Sequence, residues 1–146
     1  MKLSEHFTLA ELTKTNVKLE NMPNEAQVEN LKRLCSWFDM LRSEWNNRYG
    51  EGNDPIIINS GYRSPEVNKA VGGVPSSNHL TGCAADIHVY GMEQLLRYAV
   101  ILLDIADESK EAFDELLIEK NARGAIWLHF AVRPFGNRRR INLICQ

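Results

Sequence analysis

Apolar residues recur at helical spacing through the segment Glu25–Tyr49, at Val28, Leu31, Leu34, Cys35, Phe38, Leu41 and Trp45. That period places one apolar stripe along about six turns of helix. The run Gly50–Pro55 then stops it, because glycine and proline break the pattern. A second amphipathic stretch, Met92 to about Asp107, carries Leu95, Leu96, Ala99, Leu102, Leu103 and Ala106. Two shorter helices are marked by their starts. Thr8 with Glu11 forms a capping-box pattern ahead of a helix from Leu9 to about Thr15. Ser64-Pro65 gives a cap and a first-turn proline for a helix over 65–70.

Between and after these helices the pattern changes to short β-prone runs. Pro55–Asn59, Ala84–Val89, Phe113–Glu119 and Ile126–Val132 predict strands, and Arg140–Cys145 a final one. The connection Lys120–Ala125 predicts a hairpin between the third and fourth runs. Helices and strands are mixed without βαβα alternation. The expected fold is therefore α+β, a small antiparallel sheet packed against helices.

Composition narrows this without changing it. A chain of 146 residues with 44% hydrophobic content fits one domain, residues 1–146, with a real core. A formal charge of −2 gives no case for binding nucleic acid through charge. The cluster Arg138–Arg140 reads as a solvated edge beside the last strand. Three scattered cysteines, Cys35, Cys83 and Cys145, do not form a disulfide framework, and reduced thiols favour synthesis in a cytoplasm. The start MKLSEHFTLAEL has no apolar region of a secretory signal, and no run of about 20 apolar residues predicts a membrane span.

The chemistry concentrates in one stretch, SGYRSPEVNKAVGGVPSSNHLTGCAADIHV, residues 60–89. His79 lies in a Ser/Asn/Gly-rich loop, and Asp86 in the strand that loop feeds. A later His129 sits in the apolar run IWLHFAV. Two histidines and a carboxylate suit a catalytic Zn2+, which takes three protein ligands and keeps one position open. The spacing alone also allows a histidine satisfied within the core, and the HExxH helix signature is absent.

The segments SGYRSPEVNKAVGG, SSNHLTGCAADI and IWLHF resemble the zinc D-Ala-D-Ala carboxypeptidase and L-alanyl-D-glutamate endopeptidase family, which cuts peptidoglycan stem peptides. The pattern Ser-x-His-x-x-Gly-x-Ala-x-Asp is met by Ser77, His79, Gly82, Ala84 and Asp86. The opening HFTLAEL and the stretch from FDELLIE to WLHFAV also look like the carboxypeptidase-type branch. The resemblance implies a hedgehog/DD-peptidase-like fold, with His79, Asp86 and His129 as zinc ligands. It implies Arg63 as the residue holding a substrate carboxylate or carbonyl oxygen. Ser77 would shape the loop at the substrate's edge rather than act as a nucleophile.

The implied substrate is a peptidoglycan peptide, and a monomer is expected. A chain of this kind, made in the cytoplasm without a signal, would reach the cell wall after release, as a phage or prophage lysin does. One departure stands out. Many members of the family place an acidic general base three residues before the last histidine, where this chain has Ile126. Glu119 is the leading substitute and Asp114 another, but the side Glu119 faces depends on hairpin register. An even pairing sum turns it towards His129, an odd one away. His88 is a surface histidine or a neighbour of the ligands, and His6 reads as structural. The rival expectation is a zinc-binding module that recognises peptidoglycan or a partner without cutting.

Overall fold

Helix α2, Glu25–Arg48, forms where the apolar stripe predicts it and buries Leu31, Leu34, Cys35, Trp37, Phe38, Leu41 and Trp45. Asn24 caps it, its side chain accepting from the Gln27 backbone N–H while Gln27 reaches back. The computed structural model describes residues 1–146. Around α2 stand α1 (Leu9–Thr13), β1 (Ile58–Ser60), α3 (Pro65–Ala70), a 3-10 turn (Asn78–Thr81), β2 (Ala84–Ile87), α4 (Met92–Ser109), β3 (Glu115–Lys120), β4 (Ile126–Ala131) and β5 (Arg140–Cys145). The expected α+β class holds.

Boundaries differ from the sequence pattern in instructive ways. Helix α1 stops at Thr13, where Lys14 turns extended, rather than at Thr15. The first strand is shifted to Ile58–Ser60, with an irregular register against β2, so only a short part of the β-branched run pairs. The sheet order is β1-β2-β4-β3-β5. Its first three pairings are antiparallel, but β5 runs parallel to β3. This corrects the all-antiparallel expectation. Strand β4 ends beside the start of β3, and the chain crosses there, with the Arg139 and Arg140 N–H groups donating to Phe113 and Asp114 carbonyls. A strand that starts at the same end as β3 must run with it.

The sheet has two unlike faces because side chains alternate along each strand. One face, with Ala85, Ile87, Leu116, Leu128 and Phe130, belongs to the buried core shared with α2 and α4. Phe130 lies 5.3 Å from the Trp37 ring, 5.4 Å from Phe113 and 6.1 Å from Phe38, centroid to centroid. The other face carries Asp86, His129, Glu115, Leu117 and Glu119. Packing the first face therefore fixes the positions of residues on the second. Removing the Phe130 ring leaves a cavity at this aromatic junction. Phe130→Ala is expected to destabilise the chain by about 3–5 kcal/mol. Urea unfolding checks this, and an unmoved midpoint would show that Phe130 does not anchor the sheet.

Candidate metal centre

His79 is placed by a tight local structure. The Ser77 hydroxyl accepts from the His79 backbone N–H at 3.1 Å and caps the 3-10 turn. Gly82 ends that turn at φ +76°, in the left-handed region that favours glycine. A Cβ at Gly82 would also stand 2.6 Å from the Gln27 carbonyl oxygen of α2. The turn is thus pressed against the core helix. The Gly61 carbonyl accepts from His79 Nδ1 at 2.7 Å, which leaves Nε2 free to act as a ligand. Gly61 is itself confined, since a Cβ there would collide with the Leu12 carbonyl oxygen.

Asp86 and His129 come from β2 and β4, where they are direct partners in the ladder. Asp86 Oδ1 lies 3.3 Å from His79 Nε2 and 3.1 Å from His129 Nδ1. One ligand atom from each of the three residues lies within 4.8 Å of the others. All three are nearly sealed from solvent, at 3%, 6% and 6% exposure for His79, Asp86 and His129. Zinc at about 2.0–2.2 Å from nitrogen and oxygen would set neighbouring ligand atoms roughly 3.3 Å apart. The spacing and the donor set therefore fit zinc. Arg63 holds the other carboxylate oxygen, Nη2 to Asp86 Oδ2 at 3.3 Å, and is itself held by Ser60 and Asn68.

The register of the β3–β4 hairpin is even. Leu117 pairs with His129 and Glu119 with Trp127. Glu119 consequently faces the centre, its Oε1 3.7 Å from His129 Nδ1 and accepting from Trp127 Nε1 at 2.9 Å. Ile126, an odd number of residues from His129, lies on the other side and packs on the core. In this strand that position does not reach the metal face at all. Asp114 is fully buried and engaged by Arg138, Asn78 and Arg133 rather than turned to the centre. His88 lies beyond β2, edge-on to Tyr90 at 4.7 Å, and stays outside the cluster. His6 pairs with Arg42 and Glu5 near the N-terminus.

Sequence reasoning missed Glu115. Its Oε1 lies 2.9 Å from His129 Nε2, and Asn78 Nδ2 donates to the same oxygen at 2.7 Å. A carboxylate on the far nitrogen orients the imidazole so that Nδ1 faces the ligand cluster. The signal was available, because Glu115, Leu117 and Glu119 share one face of β3. The cluster Arg138–Arg140 is solvent-exposed, as expected of an edge, but it also makes ion pairs. Arg138 and Arg140 pair with Asp114 and Glu115, while Arg139, at φ +48° just before β5, pairs with Asp107.

The charges in this cluster are strongly coupled. Burial pushes the Asp86 carboxyl up, but His79 and His129 outweigh it and hold the group far below the usual range. Burial pulls His129 down, yet its hydrogen bonds to Asp86 and Glu115 raise it to about 10. For Glu115, burial is overcome by His129 and Asn78, which bring it to about 2. Glu119 is raised, by burial and by the neighbouring Asp86 charge. A carboxylate raised in this way is a better proton acceptor.

Two comparisons with known proteins bear on this geometry. The family model for Peptidase M15 matches residues 5–104, a span that holds Arg63, His79 and Asp86 and ends before β3. The zinc D-Ala-D-Ala carboxypeptidase of Streptomyces albus G is 32% identical over 82 residues. That match covers 56% of this chain and 31% of the relative, so the chain aligns with under a third of that protein.

Removing the partner of His129 Nε2 tests the geometry directly. Glu115→Ala is expected to weaken zinc binding about 10- to 100-fold, measured by competition with a chelator. Undiminished affinity would show that Glu115 does not orient the ligand. With His129 raised to about 10 in the metal-free chain, the imidazole is charged at pH 7 and must lose its proton to become a ligand. Zinc affinity is therefore expected to fall as pH falls, with about one proton released per zinc at pH 7. Calorimetry in buffers of different ionisation enthalpy reads that proton, and none released would contradict the charge state.

Proposed function

The chain belongs to the peptidase M15 family, and on that premise we propose that it is a zinc peptidase hydrolysing peptidoglycan stem peptides, as a D-Ala-D-Ala carboxypeptidase or an L-Ala-D-Glu endopeptidase of endolysin type. What carries this is the convergence of His79, Asp86 and His129 on one point with Glu119 beside it. The centre opens into a cleft of about 710 Å³, with room for several residues of peptide. All of these groups come from one chain, so a monomer suffices. The cell wall is the site of action, reached after release from the cytoplasm.

His79, Asp86 and His129 would hold the zinc, which when bound would supply a Lewis acid for the scissile carbonyl and lower the pKa of water there towards neutrality. Glu119 takes the proton of the attacking water and returns it to the leaving amine. Its Oε1 is positioned for this by the Trp127 indole N–H. Arg63 stands on the opposite flank and donates to a substrate carboxylate or carbonyl oxygen. Three of its neighbours fix the guanidinium in place, so little freedom is lost when substrate binds. Glu115, itself held by Asn78, holds His129 from behind.

Purified peptidoglycan digested with and without chelator, together with metal content, tests the proposal. About one zinc per chain with chelator-sensitive fragments is expected, and the fragments name the bond. Glu119→Gln should retain zinc while kcat falls about 10²- to 10⁴-fold. His129→Ala should lose both metal and turnover. Zinc without any fragment would instead make the chain a binding module, and an unchanged rate in Glu119→Gln would remove Glu119 from the proton path.

A further inference from the structure

The β5 side of the cleft carries more positive charge than its acidic neighbours neutralise. Asp114 takes a two-pronged contact from Arg138, Nε to Oδ1 at 3.0 Å and Nη2 to Oδ2 at 2.8 Å, and a second ion pair from Arg133 at 3.2 Å. Glu115 is shared among His129, Asn78 and Arg140. Three guanidiniums thus face two carboxylates, one of which is already engaged by an imidazole.

Arg140 is the least satisfied of the three. Its single side-chain hydrogen bond runs from Nη1 to Glu115 Oε2 at 3.3 Å, which leaves Nε and Nη2 without partners. The side chain is 46% exposed and lines the cleft. Arg138 uses Nε and Nη2 on Asp114, so Nη1 remains, on a side chain 50% exposed. A rigid guanidinium with one open edge fits a carboxylate in the plane of its fork.

Position along the sheet says which part of a substrate meets this edge. The metal ligands Asp86 and His129 lie on β2 and β4, in the middle of the order β1-β2-β4-β3-β5. Arg63 follows β1 at one side, and Arg140 opens β5 at the other. Two strand spacings of about 4.8 Å separate β5 from β4, roughly 10 Å. Extended peptide covers about 3.3–3.6 Å per residue, so that distance is two to three residues.

Resting on the peptidase reading above, we infer that Arg140, aided by the open edge of Arg138, forms a carboxylate-binding subsite in the cleft. It recognises a free carboxylate two to three residues from the scissile carbonyl, on the side away from Arg63. With Arg63 on the terminal carboxylate, as in the carboxypeptidase reading, the preferred substrate is a peptide acidic upstream of the cut, and amidation of that carboxylate weakens its binding. Glu115 would then serve twice, orienting His129 with one oxygen and Arg140 with the other.

The test uses two synthetic peptides of the sequence L-Ala-γ-D-Glu-L-Lys-D-Ala-D-Ala, differing only in whether the glutamyl α-group is a carboxylate or a carboxamide. Affinities are measured by calorimetry on the zinc-loaded chain carrying Glu119→Gln, so that peptide is conserved during titration. The acid form should bind about fivefold more tightly, with the preference shrinking at high salt. Adding Arg140→Gln should bring the two affinities within about twofold of each other. Arg140→Lys keeps the charge without the fork and should retain part of the preference, which also covers the case of a poorly folding Arg140→Gln. Equal affinities in the parent, no measurable binding of the acid peptide, or a preference that survives Arg140→Gln would each overturn the subsite. Cleavage by the unsubstituted chain is scored separately. A charge preference without cleavage would remove the peptidase reading and leave the carboxylate site standing.

Discussion

One buried carboxylate, Asp86, is the constraint on which the cleft depends. A charge in that position is costly unless its oxygens are occupied. Here Oδ1 is met by both histidines and Oδ2 by Arg63. These partners arrive from a loop, a neighbouring strand and a separate turn, so the burial of one aspartate links three distant parts of the chain. The same arrangement gives the site its chemistry. Arg63 occupies one oxygen, which leaves a single atom facing the metal point, and the histidines present their nitrogens to that same atom.

The division of labour between the two faces of the sheet explains how so polar a cluster is held still. Leu128 and Phe130 pack into the core, while Trp127 and His129, between and beside them, face the cleft. Behind the centre lies a second layer of polar contacts. Asn78 Nδ2 donates to both Asp114 and Glu115, and Arg133 Nε donates to the side-chain Oδ1 of Asn78 at 2.9 Å. This layer joins the turn that carries His79 to the strand that faces His129, so the two histidine ligands are positioned by a common network.

Much of this was legible in the sequence because it rests on local rules. The helical period of α2 and α4, the Thr8 cap and the Ser64-Pro65 start depend on neighbours a few residues away, and they appear where expected. His79, Asp86 and His129 were recognised from pattern and resemblance, and the fold brings their ligand atoms together. What stayed hidden depends on pairing. Register decides that Glu119 faces the centre, and it also decides that Ile126 does not. The same parity includes Glu115, whose proximity to Asp114 in sequence concealed its different surroundings. The direction of β5 follows from where β4 ends, so the pairing of Arg138 and Arg140 with Asp114 and Glu115 had no local signature. A run of three arginines reads as a solvated edge, and its separate ion pairs follow from the left-handed backbone at Arg139, φ +48°, which no local pattern marks.

The most direct measurement is anomalous diffraction at the zinc edge from crystals grown with the metal. One peak is expected, bounded by His79 Nε2, Asp86 Oδ1 and His129 Nδ1, at about 2.0–2.2 Å from each. Glu115 should remain on His129 Nε2 and Glu119 should stand clear of the coordination sphere. A peak ligated through His129 Nε2, a peak elsewhere in the chain, or none at all would contradict the assignment of this cluster as the metal centre.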